Sequence, residues 1–397
     1  MASTHQKEYG QYFTTHADLK QKLFDFIYNK PSVILEPSIG RGDLVAYVQE
    51  RIPSCTFDMY EIDTTIDFLA TIDREKIHFG DFLLSECAYS YKTIIGNPPY
   101  IRTQKSKKNQ YIRFIEKCFD LLEVGMGELI FIVPSDFFQL TSALPVLKRM
   151  MAEGTFTHIY YPKNERLFEN ASIDVIVFRY CKNADLEKVV LYNDEVRSII
   201  YDSSGSGASI QFSSLKNERI PKRIVQDRFD VFVGMVSGKD EVFKHPELGN
   251  ISVLSKEGKR EKFIFIESLL SEQKDPIVSA YLESKKTELI SRRIRKFNDQ
   301  NWFEWGAPRN ITTIRQHWGQ PCIYMSNLTR DKRIAFLGKV EYFGGGLLLL
   351  LPKLGTDISQ LEDIVTYFNS PEFQENYRFS ERFKIGQRQL SYVSFPF

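Results

Sequence analysis

Four consecutive residues carry the sharpest chemical signal in the sequence: Asn97-Pro98-Pro99-Tyr100. Two prolines forbid helix and remove two backbone donors, so they hold the chain extended and rigid. The Asn97 side chain then offers one oxygen acceptor, and the Pro98 carbonyl a second, fixed one. Tyr100 adds a flat ring for stacking. Two acceptors beside an aromatic face suit a planar amine with two N–H bonds to give, such as the exocyclic amino group of adenine or cytosine. A surface Pro-Pro turn is the plain alternative for the tetrapeptide alone.

Three acids stand at comparable places. Glu36 ends the apolar run Val33-Ile34-Leu35 and opens Glu36-Pro37-Ser38-Ile39-Gly40-Arg41-Gly42-Asp43. A phosphate binder would avoid an acid there, so Glu36 points to a ligand with a cationic part. Glu61, at the end of Thr56 to Tyr60, is placed to accept from both hydroxyls of a ribose. A solvated loop acid is the alternative. Asp81 precedes Phe82-Leu83-Leu84; it suits an adenine amino group, with Phe82 covering the ring, or else it caps a turn next to a core phenylalanine. With Asn97 behind Thr93-Ile94-Ile95-Gly96, four strand ends present polar groups to one cleft. That joint arrangement weighs against the turn reading.

The elements that must position these groups follow from periodicity. Leu19, Leu23, Phe24, Ile27 and Tyr28 have helical spacing, after a loop Gly10 to Thr15 with two hydroxyls at the helix start. Strand, glycine-containing turn and helix then recur, which is the alternation of a doubly wound sheet with ligands at the strands' carboxyl ends. A helix from about Gln110 to Leu122 turns Ile112, Ile115, Phe119 and Leu122 to one face, and Leu129 to Val133 reads as a buried strand. Two more strands, Phe156 to Tyr161 and Ile173 to Tyr180, flank a polar loop holding Phe168. Phe168 either packs under that loop or stacks on the face of a base opposite Tyr100.

The second half differs in character. Residues 1–214 carry 23 Lys+Arg against 28 Asp+Glu, and residues 215–397 carry 29 against 23, so charges of −5 and +6 hide behind a net +1. This fits a polyanion-binding module attached to a catalytic one. The Ser/Gly-rich stretch 202–209 marks a boundary, giving domains 1–205 and 206–397. Candidate phosphate contacts are Arg102, Lys105, Lys107 and Lys108, just after Tyr100, and Arg292, Arg293, Arg295 and Lys296, followed by Trp302, Trp305 and Trp318, which also suit base contacts. A solvated loop and an exposed helix with core tryptophans are the respective alternatives. Five scattered cysteines lack metal-ligand spacing and read as reduced thiols. The longest apolar run, Leu347 to Leu351, is too short to span a bilayer. An intracellular protein, cytoplasmic or inside the host if viral, with no membrane and no metal, is expected.

Gly10-Gln11-Tyr12-Phe13-Thr14, Leu35-Glu36-Pro37, Tyr60-Glu61-Ile62-Asp63, Asp81-Phe82-Leu83-Leu84, Asn97-Pro98-Pro99-Tyr100 and Leu167-Phe168 occur in the order typical of one family. Together they resemble the γ-group of N6-adenine DNA methyltransferases of type II restriction–modification systems, nearest to the Thermus TCGA-type and chlorella-virus enzymes. The resemblance implies an α/β, class I (Rossmann-like) S-adenosylmethionine-dependent methyltransferase domain and a mixed α+β C-terminal target-recognition domain. It implies that Glu36 faces the methionine amino group of S-adenosylmethionine, that Thr14 helps hold the methionine part, and that Pro37 and Ser38 also bind the cofactor. Glu61, Ile62, Asp81 and Phe82 would hold its nucleoside, with Asn97 close by. Asn97 and Pro98 would accept from the amine, with Pro99 part of the same catalytic motif, and Tyr100 and Phe168 would sandwich a flipped adenine in double-stranded DNA. A TCGA-like site, a separate cognate endonuclease and a monomeric enzyme are the corresponding expectations. Arg41, a departure next to a cationic cofactor, is expected to point to solvent. The same tetrapeptide serves RNA and protein methyltransferases, and a non-catalytic DNA-binding subunit is a further alternative.

Overall fold

The structure is a computed structural model that describes residues 12–87, 90–101, 109–162, 167–168, 173–202, 209–214, 223–375, 377–379 and 382–397. The chain forms two compact units, Met1–Arg219 and Ile220–Phe397. The expected boundary at 205 falls inside a strand pair: β9 (Glu195–Asp202) and β10 (Ser209–Ser214) are in antiparallel register, Ser209 against Asp202. A Ser/Gly-rich composition therefore did not mark the division, which comes after β10.

In the first unit, α1 (Ala17–Asp25) precedes β1 (Val33–Glu36), α2 (Asp43–Arg51), β2 (Thr56–Glu61), β3 (Ile77–Phe79) and β4 (Thr93–Gly96). Then come α3 (Gln110–Asp120), β5 (Glu128–Pro134), α4 (Leu144–Glu153), β6 (Thr155–Tyr160), β7 (Val175–Cys181) and β8 (Val189–Tyr192). Among the described residues these strands form one sheet in the order β10-β9-β8-β6-β7-β5-β4-β1-β2-β3. Strands β3, β2, β1, β4 and β5 run parallel, and β7 is inserted antiparallel between β5 and β6. β7 is buried throughout and β5 up to Val133, which is why they read as unbroken apolar runs rather than alternating ones. The order reverses between β1 and β4, so a crevice opens beyond the carboxyl ends of these two strands.

One buried acid ties the sheet to the end of α1. The fully buried Glu128 carboxylate accepts from the Arg179 Nε at 2.8 Å, the Thr93 hydroxyl at 2.9 Å and the backbone N–H groups of Tyr28 and Asn29 at 3.2 and 3.0 Å. The Arg179 guanidinium also stacks 4.6 Å from the Tyr28 ring centre. Glu128→Ala leaves that cation enclosed without its counter-charge, so a loss of about 3–5 kcal/mol is expected in urea unfolding.

The second unit begins with β11 (Arg223–Ile224) and β12 (Phe229–Val233), followed by the hairpin β13 (Ile251–Leu254) and β14 (Arg260–Phe263). Its main sheet joins β12 to β15 (Pro321–Ser326), β17 (Ala335–Lys339) and β18 (Leu347–Pro352) in the order β12-β18-β15-β17. A small sheet joins β16 (Leu328–Thr329), β19 (Arg378–Phe379) and β20 (Arg382–Lys384), and β21 (Ser394–Phe395) pairs with β11. The five leucines of β18 split by parity: Leu347, Leu349 and Leu351 enter one core and Leu348 and Leu350 the other. A central strand with both faces covered needs apolar residues at every position. Among the described residues, no helix is long and apolar enough to cross a membrane. The five cysteines are free thiols, four of them buried.

Candidate active site

A cavity of about 420 Å³ lies at the topological reversal of the first unit, and Glu36, Glu61, Asp81 and Asn97 all line it. Each reaches it from the end of a strand or the turn that follows. The fit depends on two glycines. Gly40 has φ +56°, a left-handed conformation that lets the turn after β1 fold back over the crevice. A Cβ on Gly96 would stand 2.9 Å from Glu36 Oε1 and 3.1 Å from the Phe131 ring, so a larger residue there would push against the acid.

Glu36 is 1% exposed and accepts from the Ser38 N–H at 3.1 Å. Burial pushes its carboxyl up to about 8, with the nearby Glu61 adding to the rise. Glu61 ties the turn to β2: it accepts from the N–H groups of Gly40, Ile62 and Asp63, each at 2.9 Å. Burial raises its pKa as well. Among the described residues neither acid has an ion-pair partner. Two enclosed carboxylates without a counter-cation on one cavity wall fit a ligand bringing an ammonium and hydroxyls. Asp81 combines both expectations, lining the cavity while one oxygen caps the Leu83 N–H at 2.9 Å. Phe82 is buried and stacks on Phe114, ring centres 5.5 Å apart. The Lys117 ammonium pins this turn by donating to the carbonyls of Phe82 and Ser85. Ile62 is an apolar shelf at the rim, 48% exposed, and Pro37, Ser38 and Pro99 complete the wall.

The Asn97 amide is oriented by its partners. Its Nδ2 donates to the Tyr12 carbonyl at 2.7 Å and to Thr14 Oγ1 at 2.9 Å. A carbonyl only accepts, so this fixes which end of the amide faces Tyr12 and leaves Oδ1 on the other side. There Oδ1 accepts from the Tyr100 hydroxyl, which also reaches the Ile132 carbonyl at 3.1 Å. An amide oxygen has two lone pairs, so Oδ1 can accept a second hydrogen bond while it accepts from Tyr100.

Two expectations need correction here. Tyr100 and Phe168 do not face each other: their rings meet edge to face, 79° apart with centres 6.4 Å apart. The ring stacked on Tyr100 is Tyr12, at 5.4 Å and 24°, with Phe168 5.7 Å from it. Arg41 does not simply point to solvent. It lines the cavity, with its guanidinium 5.7 Å from the Phe13 ring centre and 3.5 Å from the Asp43 carboxylate, which offsets its charge.

Of the expected DNA contacts, Arg102, Lys105, Lys107 and Lys108 lie outside the described residues. Arg292 belongs to the core of the second unit. It is 8% exposed, donates to the carbonyls of Leu289, Ser237 and Trp302, and stacks 3.8 Å from the Phe297 ring centre. Arg295 is paired with Glu304, while Arg293 and Lys296 are exposed. Trp302 and Trp305 are buried, and only Trp318 of the three is exposed. Sequence reasoning missed Tyr12, Phe13, Gln110 and Phe114 as cavity residues. Phe114 left a trace: it is apolar yet lies off the Ile112/Ile115/Phe119 stripe, because it serves the cavity rather than the sheet.

Residues 57–168 match the family described as Eco57I restriction-modification methylase, a span that includes Glu61, Asp81, the Asn97–Tyr100 tetrapeptide and Phe168. Over that span the chain is similar to methylase domains of this type. The type II methyltransferase M.HincII of Haemophilus influenzae is 30% identical over 212 residues, 48% of this chain and 41% of that one. The modification methylase CviBIII of Paramecium bursaria Chlorella virus NC1A is 26% identical over 185 residues, 42% and 49% of the two chains. The chain thus spans less than half the length of these curated relatives. The type IIL restriction-modification enzyme MmeI, solved in complex with DNA, aligns with a TM-score of 0.57 at 10% identity over 95% of this chain and 63% of that one. The likeness to MmeI is one of fold, and the strand order β5-β4-β1-β2-β3 is that of a doubly wound sheet.

Proposed function

We propose that this chain is a site-specific DNA methyltransferase that moves a methyl group from S-adenosylmethionine to the N6 amino group of a flipped-out adenine, as the modification enzyme of a restriction–modification system. What carries the reading is the single cavity in which the Asn97 amide shares a wall with two enclosed acids, Glu36 and Glu61. In this reading Glu36 holds the cofactor's ammonium and Glu61 its ribose, while Asp81, Phe82, Ile62 and Phe114 enclose its adenine. S-adenosylmethionine would supply an electrophilic methyl on a sulfonium: the N–C bond would form as the S–C bond breaks to a neutral thioether, and the methylated N6 would then give one of its two hydrogens to solvent as a proton. Asn97 Oδ1 and the Pro98 carbonyl accept from the two N6 hydrogens and draw the nitrogen lone pair out of conjugation with the ring. Alignment of that lone pair contributes much of the rate, since positioning is worth roughly 7–11 kcal/mol. Unstacking the base costs a few kcal/mol, offset by stacking on Tyr100. Tyr12 now covers that ring, so entry of the base moves Tyr12 aside. The second unit serves as the target-recognition domain of an intracellular monomer, with any cognate endonuclease a separate protein.

Sequencing DNA from cells expressing the chain, with detection of modified bases, tests this. The expected result is N6-methyladenine at one defined short site. Labelled methyl groups found on RNA or protein instead, or on cytosine, would replace the reading.

A further inference from the structure

The candidate contacts at residues 292–296 proved partly internal, yet the second unit is the basic one. Its cations gather elsewhere. The segments 328–334 and 377–391 carry seven Lys+Arg (Arg330, Lys332, Arg333, Arg378, Arg382, Lys384, Arg388) against two acids, Asp331 and Glu381. The small sheet brings them together: β20 is its middle strand, with Leu328 opposite Lys384 on one side and Arg378 opposite Phe383 on the other.

The loop between β16 and β17 is built to hold its charges outward. Its carbonyls are fastened inward, Asp331 O by the Arg378 guanidinium and Lys332 O by the buried Gln374 amide at 2.7 Å. The Asn369 side chain accepts from the N–H groups of Ile334 and Ala335 at 2.7 and 3.0 Å. The one acid of the loop, Asp331, is engaged by the Thr329 hydroxyl at 3.1 Å. On β20 the alternation is strict: Phe383 is fully buried, while Arg382 and Lys384 on either side of it are exposed. Arg330, Lys332 and Arg333 are exposed as well.

We infer that this face, the loop Arg330–Arg333 with Arg382 and Lys384 of β20, is the surface through which the second unit grips the phosphate backbone of duplex DNA. The inference rests on the DNA reading above. The charge is complementary to a polyanion, and a loop backbone tied at two carbonyls and two N–H groups, beside the paired strand β20, keeps the five cations at fixed spacing. Such contacts set register on the duplex and carry no sequence information themselves. Arg378 acts as a positioning residue, since it holds the loop's backbone.

The test is fluorescence anisotropy with a labelled random-sequence duplex across a salt series, using the full chain. Each phosphate contact contributes about 0.9 to the slope of log affinity against log salt, so the triple variant Lys332→Gln/Arg333→Gln/Lys384→Gln should lower it by roughly 2 to 3. The double variant Arg293→Gln/Lys296→Gln should change it by less than about 1. Unchanged thermal melting shows that the triple variant is folded. An unaltered slope in the folded triple variant overturns the inference and leaves the DNA reading intact. A wild-type chain that ignores duplex DNA but binds RNA, or neither, overturns both.

Discussion

Replacing Asn97 by alanine is expected to abolish methyl transfer, by about 10³-fold or more, while cofactor affinity falls by no more than about tenfold. The asymmetry follows from what the side chain touches. In the proposed reading its oxygen accepts from the reacting amine, so its loss removes a group needed only when the nitrogen becomes nucleophilic. Its Nδ2 holds the Tyr12 carbonyl and the Thr14 hydroxyl. The variant therefore loosens the segment covering the cavity, but Glu36, Glu61, Asp81 and Phe82 stay in place on other strands. Asn97→Asp keeps an acceptor and loses both donors, so it should retain more activity than alanine while weakening the Tyr12 and Thr14 contacts equally. Labelled methyl transfer to DNA gives the first quantity and calorimetry with S-adenosylmethionine the second. Loss of cofactor binding in parallel with activity would make Asn97 a cofactor residue and remove the proposed chemistry.

The first unit was legible because its information is local. A short apolar run that ends at Glu36, Glu61 or Asn97 says both that a strand is there and what stands at its end. What could not be read depends on partners distant in the chain. Arg292 looks like a phosphate ligand beside Arg293 and Arg295, and only enclosure by Phe297 and three carbonyls makes it internal. Tyr100 and Phe168 are separated by 67 residues, and their edge-to-face angle is set by Tyr12, which no spacing rule connects to either. The loop Arg330–Arg333 and β20 lie some fifty residues apart and become one surface only through a pairing of two-residue and three-residue strands, below the length at which periodicity carries a signal.

Glu36 should make cofactor binding pH-dependent in a direction that can be stated beforehand. Enclosed and without a cation, its carboxyl is held near 8, so in the ligand-free protein at neutral pH it is mostly the neutral acid. An ammonium placed against it favours the carboxylate. Binding then releases a proton, and affinity should rise from pH 6 towards 8, at most about tenfold per unit for one proton. Calorimetry in two buffers of different ionisation heat counts that proton. Glu36→Gln should bind more weakly and lose the pH dependence, whereas a slope that persists in the variant would assign the proton to another group. Stability without cofactor runs the opposite way. Because folding raises this pKa, the folded state holds the proton more tightly than the unfolded chain; the contribution of Glu36 to stability is greatest below about 4.5 and declines as pH rises to about 8. At pH 8 the ligand-free Glu36→Gln protein should therefore melt higher than the wild type, and saturating S-adenosylmethionine should reverse that order. An acid that destabilises the empty protein and is repaired by its ligand is what separates a binding residue from a structural one such as Glu128, whose cation is built in.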